Sequence, residues 1–578
     1  MKVAMEMMSS RKYAIFICLT ILGLFATYLI SEKTNISTNF EPNKRVGEVK
    51  HSESVIVNFQ NLLQQYLKIP FGSKIWRTFY PEVDALLRLI EDNKLKWPAP
   101  ITKTTSANLT KLSVKNRAEG YIVGDTVVAT IEAKNGLGER KQHGGDYFYC
   151  RLMSTSEEGD ILNTGLACDI IDHGNGFYTA SAPLLWPGNS TLFVDLVHSS
   201  EAVVALALES AASSAKDIHF VSTYPSGEEV DCNVGLKPNP SRPLCNLSHP
   251  EKGSSWFCYS DSAGNCPDVT YTETRYDNRV SFVGTTPLFD PATNFKVPIQ
   301  MQGNVFQVKD STYTSDILKN LPRCETESGV SERSFENKAG FQSGFYLNGQ
   351  WQSLQCEPRV ATLPPEQCLQ NKVIYCLGDS TMRQWYFALK KHLQLNDNPT
   401  KMQGRPNQDV WQVPRVGYRP SHNITVYYRA HGLPLHNPGP PESHTFIVDT
   451  LKEIDTANGE NTLVVINLAL HFQLVDPLFY IQRLQAVRSA ILELQRRTPG
   501  VKVFIRGCIR HRNTMKVVPT EWYSYRLNKI LRKTFASLPG VGFIDVWSMT
   551  TVLPNLENIH PTDERVWDHI RLFMSYFC

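Results

Sequence analysis

The chain has 578 residues and a mass of 65.4 kDa, more than one ordinary domain holds, so two or three domains are expected. Hydrophobic residues make up 42% and charged residues 20%, ordinary values that exclude a wholly disordered protein. Lys and Arg number 59 against 56 for Asp and Glu, a net charge of +3, and no long run of one sign occurs, which indicates no nucleic-acid partner.

The N-terminus carries an uncharged apolar run, Tyr13–Ile30, preceded by Arg11 and Lys12. Its eighteen residues are near the lower limit for crossing a bilayer. The positive flank predicts a cytoplasmic tail at 1–12, a transmembrane signal anchor at 13–30 and a lumenal body. Such a short span suits a membrane of the secretory pathway such as that of the Golgi. Cleavage as a signal peptide is the alternative and would make the protein secreted, although no small-x-small site follows the run.

Cysteines and glycosylation sequons favour a lumenal body. The chain has thirteen cysteines, of which Cys18 lies in the apolar run and twelve lie in the predicted lumenal body. No C-x-x-C motif is present, which argues against zinc ribbons and thioredoxin-like sites. In an oxidising lumen we expect these twelve to form disulfides, with the pairing left open. N-x-S/T sequons predict glycosylation at five positions, which are Asn35, Asn108, Asn189, Asn246 and Asn423.

The segments before residue 346 change character twice. Residues 31–104 are a predicted stem with apolar side chains at helical spacing, as at Val83, Leu86 and Ile90. From 105 to 215, short β segments alternate with Gly-rich or Pro-rich turns, which predicts a β-sandwich. Residues 216–345 hold five cysteines in irregular sequence and predict a loop-rich, disulfide-stapled extension.

The segment 346–578 alternates strands and helices. This alternation predicts an α/β fold, a parallel sheet with helices on both faces, and places a ligand site beyond the carboxyl ends of the strands. The predicted strands are Lys372–Leu377, Thr462–Leu468, Val501–Arg506 and Val541–Val546, and the predicted helices are Thr381–Leu395, Pro477–Arg497, Glu521–Leu538 and Glu564–Phe577.

The first of these strands ends in Gly378, Asp379 and Ser380, and a helix follows at once. Ser380 therefore lies at a helix N-terminus, where the dipole and the free N–H groups favour developing negative charge. A serine in this position is a nucleophile if a histidine removes its proton. The alternative is that Ser380 is only the N-cap of the helix.

A general base is predicted in the loop before the last helix, at His560. If the last strand belongs to the same sheet, His560 reaches the same edge as Ser380. Glu557, three residues earlier, would orient the imidazole, and Asp545 at the end of the last strand is a second candidate. The alternative for a lone loop histidine is a structural or exposed role.

Two residues are candidates for an oxyanion hole. Asn467 ends a buried strand, and its side-chain amide would donate beside the Ser380 N–H, or else bond loop backbone. Gly432 follows a strand at Thr425–Arg429 and would supply a backbone N–H. No metal site is predicted, because the histidines lack ligand spacing such as H-E-x-x-H. His511 lies in a basic segment that we interpret as a solvated loop.

Two known families resemble parts of this sequence. The C-terminal part resembles the PC-esterase branch of the SGNH (GDSL-like) hydrolases at Gly378–Ser380, Asn467 and His560, and Gly349–Trp351 followed by Cys356 is similar to its G-x-W…C lead-in. The central part resembles neurexophilin. The matching stretches are His143–Tyr147, Gly174–Tyr178, Trp186–Gly188 and Leu196–Val203. Together they resemble the neurexophilin and PC-esterase domain family over most of the chain beyond about residue 100.

The resemblance implies an SGNH-type parallel sheet, preceded by an Ig-like β-sandwich and the Cys-rich extension. It implies Ser380 as nucleophile and His560 as base, with Gly432, Asn467 and the Ser380 N–H as the oxyanion hole. The sequence departs from the family pattern in two places. The usual D-x-x-H reads Glu557-x-x-His560, and the glycine motif is matched only loosely at Gly432.

The resemblance implies hydrolysis of O-acyl esters or acyl transfer through an acyl-serine. A Golgi-type anchor favours O-acetyl transfer to glycans of glycoproteins. No cofactor is bound in this scheme, and an acyl donor such as acetyl-CoA serves as co-substrate, supplied as a lumenal compound or through a separate transporter. The alternatives are a glycan O-acetyl esterase and a non-catalytic, neurexophilin-like ligand of a cell-surface protein.

Overall fold

The computed structural model describes residues 79, 81–92, 94, 96, 99–114, 119–211, 218–276, 287–289, 295–300, 305–322, 343–356, 363–399, 413–434, 439–455, 457, 459–473, 475–510, 520–553 and 559–578. They lie within one compact unit, Ile56–Cys578. The predicted cytoplasmic tail, the anchor at 13–30 and most of the stem fall outside these residues, as do Asn35, His511 and Glu557. Within the described ranges, no helix combines the length and apolar character that crossing a membrane requires.

The fold is mixed α/β. Ten α-helices occur among the described residues: Pro81–Glu91, Ser200–Ala211, Tyr313–Lys319, Pro365–Cys368, Ser380–Leu393, Ile447–Glu453, Pro477–Arg497, Glu521–Phe535, Val546–Val552 and Asp563–Met574.

Two β-sheets before residue 354 share one hydrophobic core. Four described strands form an antiparallel sheet in the order Lys111–Val114, Thr126–Glu132, Phe177–Pro183 and Asp169–Asp172. The other sheet has eight described strands, ordered Gln350–Ser353, Gly344–Leu347, Ile161–Ala167, Tyr147–Thr155, Gly188–His198, Val305–Lys309 and Tyr121–Ile122, with Phe295–Pro298 also paired to Gly188–His198. Alternate residues of each sheet face the core, such as Val127 and Ile131 from one and Leu152 and Leu192 from the other.

The eight-stranded sheet crosses the boundaries that we predicted at residues 216 and 346. Its strands Phe295–Pro298 and Val305–Lys309 come from the Cys-rich segment. The hairpin Gly344–Leu347 and Gln350–Ser353 joins the sheet through the Tyr346–Gly165 pair. The G-x-W motif therefore lies in this hairpin, at the junction with the C-terminal part of the chain.

The described part of the Cys-rich segment is more regular than predicted. Its strands form a five-stranded antiparallel sheet in the order Leu244–Asn246, Phe257–Tyr259, Glu229–Asn233, Ile218–Thr223 and Tyr271–Tyr276. The disulfides Cys232–Cys258 and Cys245–Cys266 staple it. Some strands have only three residues, too few for alternation to be recognised in the sequence.

The C-terminal part contains a seven-stranded sheet among the described residues. Its order is Asn396–Pro399, Arg415–Arg419, Ile424–Arg429, Val373–Leu377, Thr462–Ile466, Lys502–Arg506 and Val541–Ile544, and the last five strands are parallel. In chain order these five follow the pattern 2-1-3-4-5. The strand order therefore reverses between Val373–Leu377 and Thr462–Ile466, and such a switch point opens a crevice beyond the carboxyl ends.

Helices cover both faces of this sheet. Successive side chains of the fully buried strand Thr462–Ile466 enter opposite cores, Leu463 and Val465 on one face and Val464 and Ile466 on the other. Helix Ser380–Leu393 packs with Asp563–Met574 on the first face, and Pro477–Arg497 with Glu521–Phe535 on the second. A strand buried on both faces reads as continuous apolar sequence, as expected for a parallel sheet.

The cysteines only partly follow the prediction that all twelve would form disulfides. Cys150–Cys168 staples the eight-stranded sheet, and Cys368–Cys578 joins the two ends of the C-terminal α/β part. Cys376 and Cys508 are instead buried free thiols. Both belong to the interior of the α/β part, where burial raises the pKa of Cys376 to about 12 and keeps the thiol protonated.

Candidate active site

The structure brings Ser380 and His560 together. The Ser380 Oγ lies 2.8 Å from the His560 Nε2, although the two residues are 180 positions apart in the chain. Ser380 is the first residue of helix Ser380–Leu393, and only 8% of it is exposed. The N-cap is Asp379, whose carboxylate accepts from the Thr381 N–H. Ser380 is therefore not the cap, and its hydroxyl bonds the imidazole instead.

The turn between strand Val373–Leu377 and the helix requires glycine. Gly378 has a φ of 154°, and a Cβ there would lie 2.6 Å from the carbonyl oxygen of Asn467. The Asp379 carboxylate, fully buried, accepts from the Thr381 hydroxyl at 2.6 Å and from the Leu470 N–H at 3.2 Å. These contacts lock the turn to the loop after the next strand and so fix the direction of the Ser380 side chain.

His560 is held by the helix that carries Ser380. Gln384 Nε2 donates to the Pro561 carbonyl at 2.9 Å, which ties the His560 loop to that helix. Burial lowers the pKa of His560; the Asp379 carboxylate opposes this shift, and Arg383 adds to it. The imidazole is therefore neutral at physiological pH, the form that accepts a proton from a hydroxyl.

The structure gives Asp545 a role other than orienting His560. Asp545 is the N-cap of helix Val546–Val552, and its two oxygens accept from the Trp547 N–H at 3.1 Å and from the Ser548 hydroxyl at 3.0 Å. The last strand ends at Ile544 and this helix begins two residues later, so the carboxylate caps its own helix, and it also forms an ion pair with Arg532 at 3.7 Å. Glu557, the other candidate acid, lies outside the described residues.

Asn467 follows the strand next to Ser380, but its side chain is used by the loop backbone. Its Nδ2 donates to the carbonyls of Arg506, at 3.1 Å, and Gly507, at 3.3 Å. Of the two interpretations of this residue, the structure shows the bond to loop backbone. Its own N–H donates to the Leu377 carbonyl at 2.8 Å, so Asn467 joins three neighbouring strand ends.

Gly432 lies on the other side of the nucleophile. Arg429 is level with Leu377 in the parallel pairing, so Gly432 and Ser380 each lie three residues beyond paired positions. Gly432 has a φ of 78°, and a Cβ there would lie 2.7 Å from the Phe446 ring. The loop therefore requires glycine at position 432, where the sequence matches the glycine motif of the PC-esterase branch only loosely.

Three residues near the site were missed by the sequence analysis. His431 Nε2 and His471 Nδ1 lie 2.8 Å apart and join the loops on either side of Ser380. Burial, aided by His560, lowers the pKa of His471 to about 3. Arg506 donates to the Thr381 hydroxyl at 2.6 Å. The sequence contained a signal that could have identified all three, since each of these polar residues ends or closely follows a buried strand of the parallel sheet.

The predicted glycosylation sites differ in exposure. Asn108, Asn246 and Asn423 are exposed, whereas Asn189 is half-buried within strand Gly188–His198. Asn35 lies outside the described residues.

Comparisons with known proteins agree with both halves of the resemblance. Residues 351–578 match the family model described as NXPE family member 4-like, C-terminal domain, and residues 128–287 match that of neurexophilin. Among solved structures, invasin, a bacterial integrin-binding protein, is 12% identical over 56% of this chain and 59% of its own, with a TM-score of 0.13, which is too low to carry an argument. The disulfides and the two family matches indicate the secretory pathway. With both domains present, the chain belongs to the neurexophilin and PC-esterase domain (NXPE) family.

Proposed function

We propose that the protein is a lumenal serine-dependent O-acyltransferase that O-acetylates glycans of glycoproteins through an acyl-serine. The observation that carries this proposal is the 2.8 Å contact between the Ser380 hydroxyl and the His560 Nε2 at a helix N-terminus. The strand reversal beside Ser380 supports an SGNH-type assignment for the sheet. The shared core of the two earlier sheets supports an Ig-like sandwich.

The proposed reaction has two halves. In the first, the Ser380 Oγ attacks the carbonyl carbon of the acyl donor while His560 takes the hydroxyl proton; collapse breaks the bond to the leaving group, which receives that proton. In the second, His560 takes the proton of a sugar hydroxyl as that oxygen attacks the acyl-serine. The ester forms on the sugar, and the proton returns to Ser380. The Ser380 and Gly432 N–H groups are proposed to bind the oxyanion in both halves.

The acceptor and the compartment are the parts of the proposal that rest on sequence. A signal anchor at 13–30 would display the enzyme in the Golgi lumen, where glycans of glycoproteins are modified. The donor would be a lumenal acetyl compound such as acetyl-CoA. Water in place of the sugar hydroxyl gives a glycan O-acetyl esterase with the same two residues, and only product analysis separates these outcomes.

The match of residues 128–287 to neurexophilin favours a second candidate, a ligand that binds a cell-surface protein without catalysis. In that case no acyl-serine forms. The contact between Ser380 and His560 would then serve only to hold the last helix against the sheet.

The test is detection of an acyl adduct on Ser380. Purified full-length protein is incubated with an activated acetyl ester, and the peptide that contains Ser380 is analysed by mass spectrometry beside the Ser380→Ala variant. We expect an added acetyl group on the wild type alone, discharged by a glycan acceptor in preference to water. A folded wild-type protein with no adduct, after several donors, would support the ligand role instead.

A further inference from the structure

Arg483 is a buried cation that contacts no carboxylate among its described partners. It lies in the second turn of helix Pro477–Arg497 and is 1% exposed. Its three nitrogens donate to backbone carbonyls, Nη1 to His431 at 3.1 Å, Nη2 to Leu433 at 2.7 Å and Nε to Gly253 at 3.1 Å. A guanidinium can satisfy three acceptors in fixed directions, which a lysine ammonium cannot do in the same geometry.

Two of these carbonyls, those of His431 and Leu433, lie on either side of Gly432. The His431 carbonyl determines the direction of the Gly432 N–H, because the two groups share one peptide plane. The His431 carbonyl and the Gly432 N–H belong to one peptide unit, and in a planar trans peptide they point in opposite directions. By holding the His431 carbonyl, Arg483 directs the Gly432 N–H away from itself. A cation on the carbonyl oxygen also polarises the peptide and strengthens that N–H as a donor.

The loop is anchored from other sides as well. The His431 imidazole contacts His471, which belongs to the loop on the other side of Ser380. The Arg483 guanidinium lies 4.9 Å from the centre of the Phe446 ring, the same ring that a side chain at position 432 would strike. The loop 431–433 is thus enclosed by fixed groups and has little freedom to turn its N–H.

The third carbonyl comes from the five-stranded sheet of the Cys-rich segment. Gly253 has a φ of 63°, and a Cβ there would lie 2.4 Å from the Gln482 carbonyl and 2.6 Å from the Arg483 Cα. The turn therefore packs directly on the helix backbone. An ion pair between Lys252 and Asp449, at 2.8 Å, fixes the turn beside this contact. The Cys-rich segment thereby supplies the acceptor for the Nε of Arg483.

We propose that Arg483 is a positioning residue for acylation: it holds loop 431–433 so that the Gly432 N–H faces the acyl oxygen, and the Gly253 turn completes the clamp. This inference rests on the proposed function. It makes the Cys-rich segment part of the enzyme rather than an accessory, because the segment supplies one of the three carbonyls that hold Arg483.

The test compares Arg483→Met and Arg483→Lys with Arg496→Met, a matched control on the same helix whose side chain is 73% exposed. The rate constant for acetylation of Ser380 should fall about 100-fold in Arg483→Met, the cost of one misplaced oxyanion donor. Arg483→Lys should restore part of the rate. The ester concentration at half-saturation should change by less than about twofold, because the Gly432 N–H binds the oxyanion in the transition state and does not contribute to binding of the ester in the ground state. Arg496→Met should match the wild type.

Gly253→Ala keeps Arg483 intact and tests the clamp if the arginine variants fold poorly. Its control is Gly227→Ala in the same sheet, which has a similar φ of 84° but no atom within 4 Å of the added Cβ. We expect a slower acetylation only in Gly253→Ala. Hydrogen exchange of the peptide covering 430–434 should rise by about tenfold in Gly253→Ala and Arg483→Met and stay unchanged in both controls.

The outcomes separate the inference from the proposed function. A wild-type protein that forms no Ser380 adduct overturns the proposed function and, with it, a role of Arg483 in acylation. A wild-type adduct together with an unchanged rate in Arg483→Met overturns the inference alone. Unchanged hydrogen exchange at 430–434 in Arg483→Met shows that no clamp exists, whatever the activity.

Discussion

Two polar clusters, one in each half of the molecule, are built very differently. In the neurexophilin half, Lys141 pairs with Glu201, and the Asp146 carboxylate accepts from Thr105 at 2.7 Å and from Tyr178 at 3.0 Å, all of them buried. In the C-terminal half, the Ser380 hydroxyl meets the His560 imidazole at the carboxyl ends of parallel strands.

The difference shows that charge density alone does not mark a functional site. The first cluster joins the β-sheets to helix Ser200–Ala211, and each charge in it has a partner within the cluster. Burial raises the pKa of Asp146, and Lys141 opposes that shift, as expected of a closed structural network. The second pair carries no charge, and its reactive oxygen lies at a helix N-terminus, where charge develops only during a reaction.

The largest expected effect is on catalysis. His560→Gln should lower the rate of Ser380 acetylation on the order of 10⁴-fold, because the hydroxyl loses its base. The melting temperature should stay within a few degrees of the wild-type value. Adduct formation followed by mass spectrometry, with thermal unfolding as the control, measures both quantities. A variant that acetylates at the normal rate would remove His560 from the site.

The same kind of change in the other cluster should act on stability. Glu201→Gln leaves the Lys141 cation buried without its carboxylate and should lower the free energy of unfolding by about 3 to 5 kcal/mol. Glu139→Gln removes a pair in which both side chains are at least half exposed, so solvent screens it and the free energy of unfolding should hardly change. Denaturant unfolding of both variants measures the difference. Equal values would show that the buried network is not structural.

Acid should weaken both regions through buried histidines. Burial lowers the pKa of His198, of His569 and of His471 below the ordinary 6.5. As the pH falls through about 6.5, the unfolded chain takes up protons that the native protein does not bind, so the free energy of unfolding falls. Each histidine contributes up to about 1.4 kcal/mol per pH unit. Denaturant midpoints at pH 7.5 and 5.5 measure the loss, which His569→Gln should reduce.

Acetylation should keep its rate further into the acid range than an ordinary histidine would allow. The lowered pKa of His560 keeps its imidazole neutral below pH 6.5, so the acidic limb of the rate profile should lie below that value. A limb centred above pH 6.5 would contradict this environment for His560.

The smallest effect on stability and activity is expected for changes at Asp545, the N-cap of helix Val546–Val552. Asp545→Ala should cost about 1 kcal/mol of stability through loss of the N-cap, whereas Asp545→Asn keeps a capping side chain and should cost less. Neither should change the acetylation rate by more than about twofold. If Asp545→Asn folds normally and is inactive, Asp545 orients His560 after all.

Local sequence was sufficient to predict features that depend on a single strand or turn. The apolar strand before Gly378, the turn after it and the following helix were all predicted, the helix from Thr381 where the structure has Ser380, because strand periodicity and helix-start residues act over a few positions. Asn467 was found as a polar residue after a buried strand. The sequence allowed a bond from its side chain to loop backbone but did not show which carbonyls would accept, because Arg506 and Gly507 lie 39 and 40 residues further along the chain.

By itself, then, the sequence determined the α/β alternation, the positions of Ser380 and His560 and the likeness to both families. Only the tertiary structure decided that Asp379 rather than Ser380 caps the helix, that Asp545 serves its own helix and that Cys376 and Cys508 stay reduced. The physical reason is that side-chain partners are chosen in space. Groups that lie far apart along the chain compete for the same partners in the folded protein, and a sequence pattern does not show which of them come into contact.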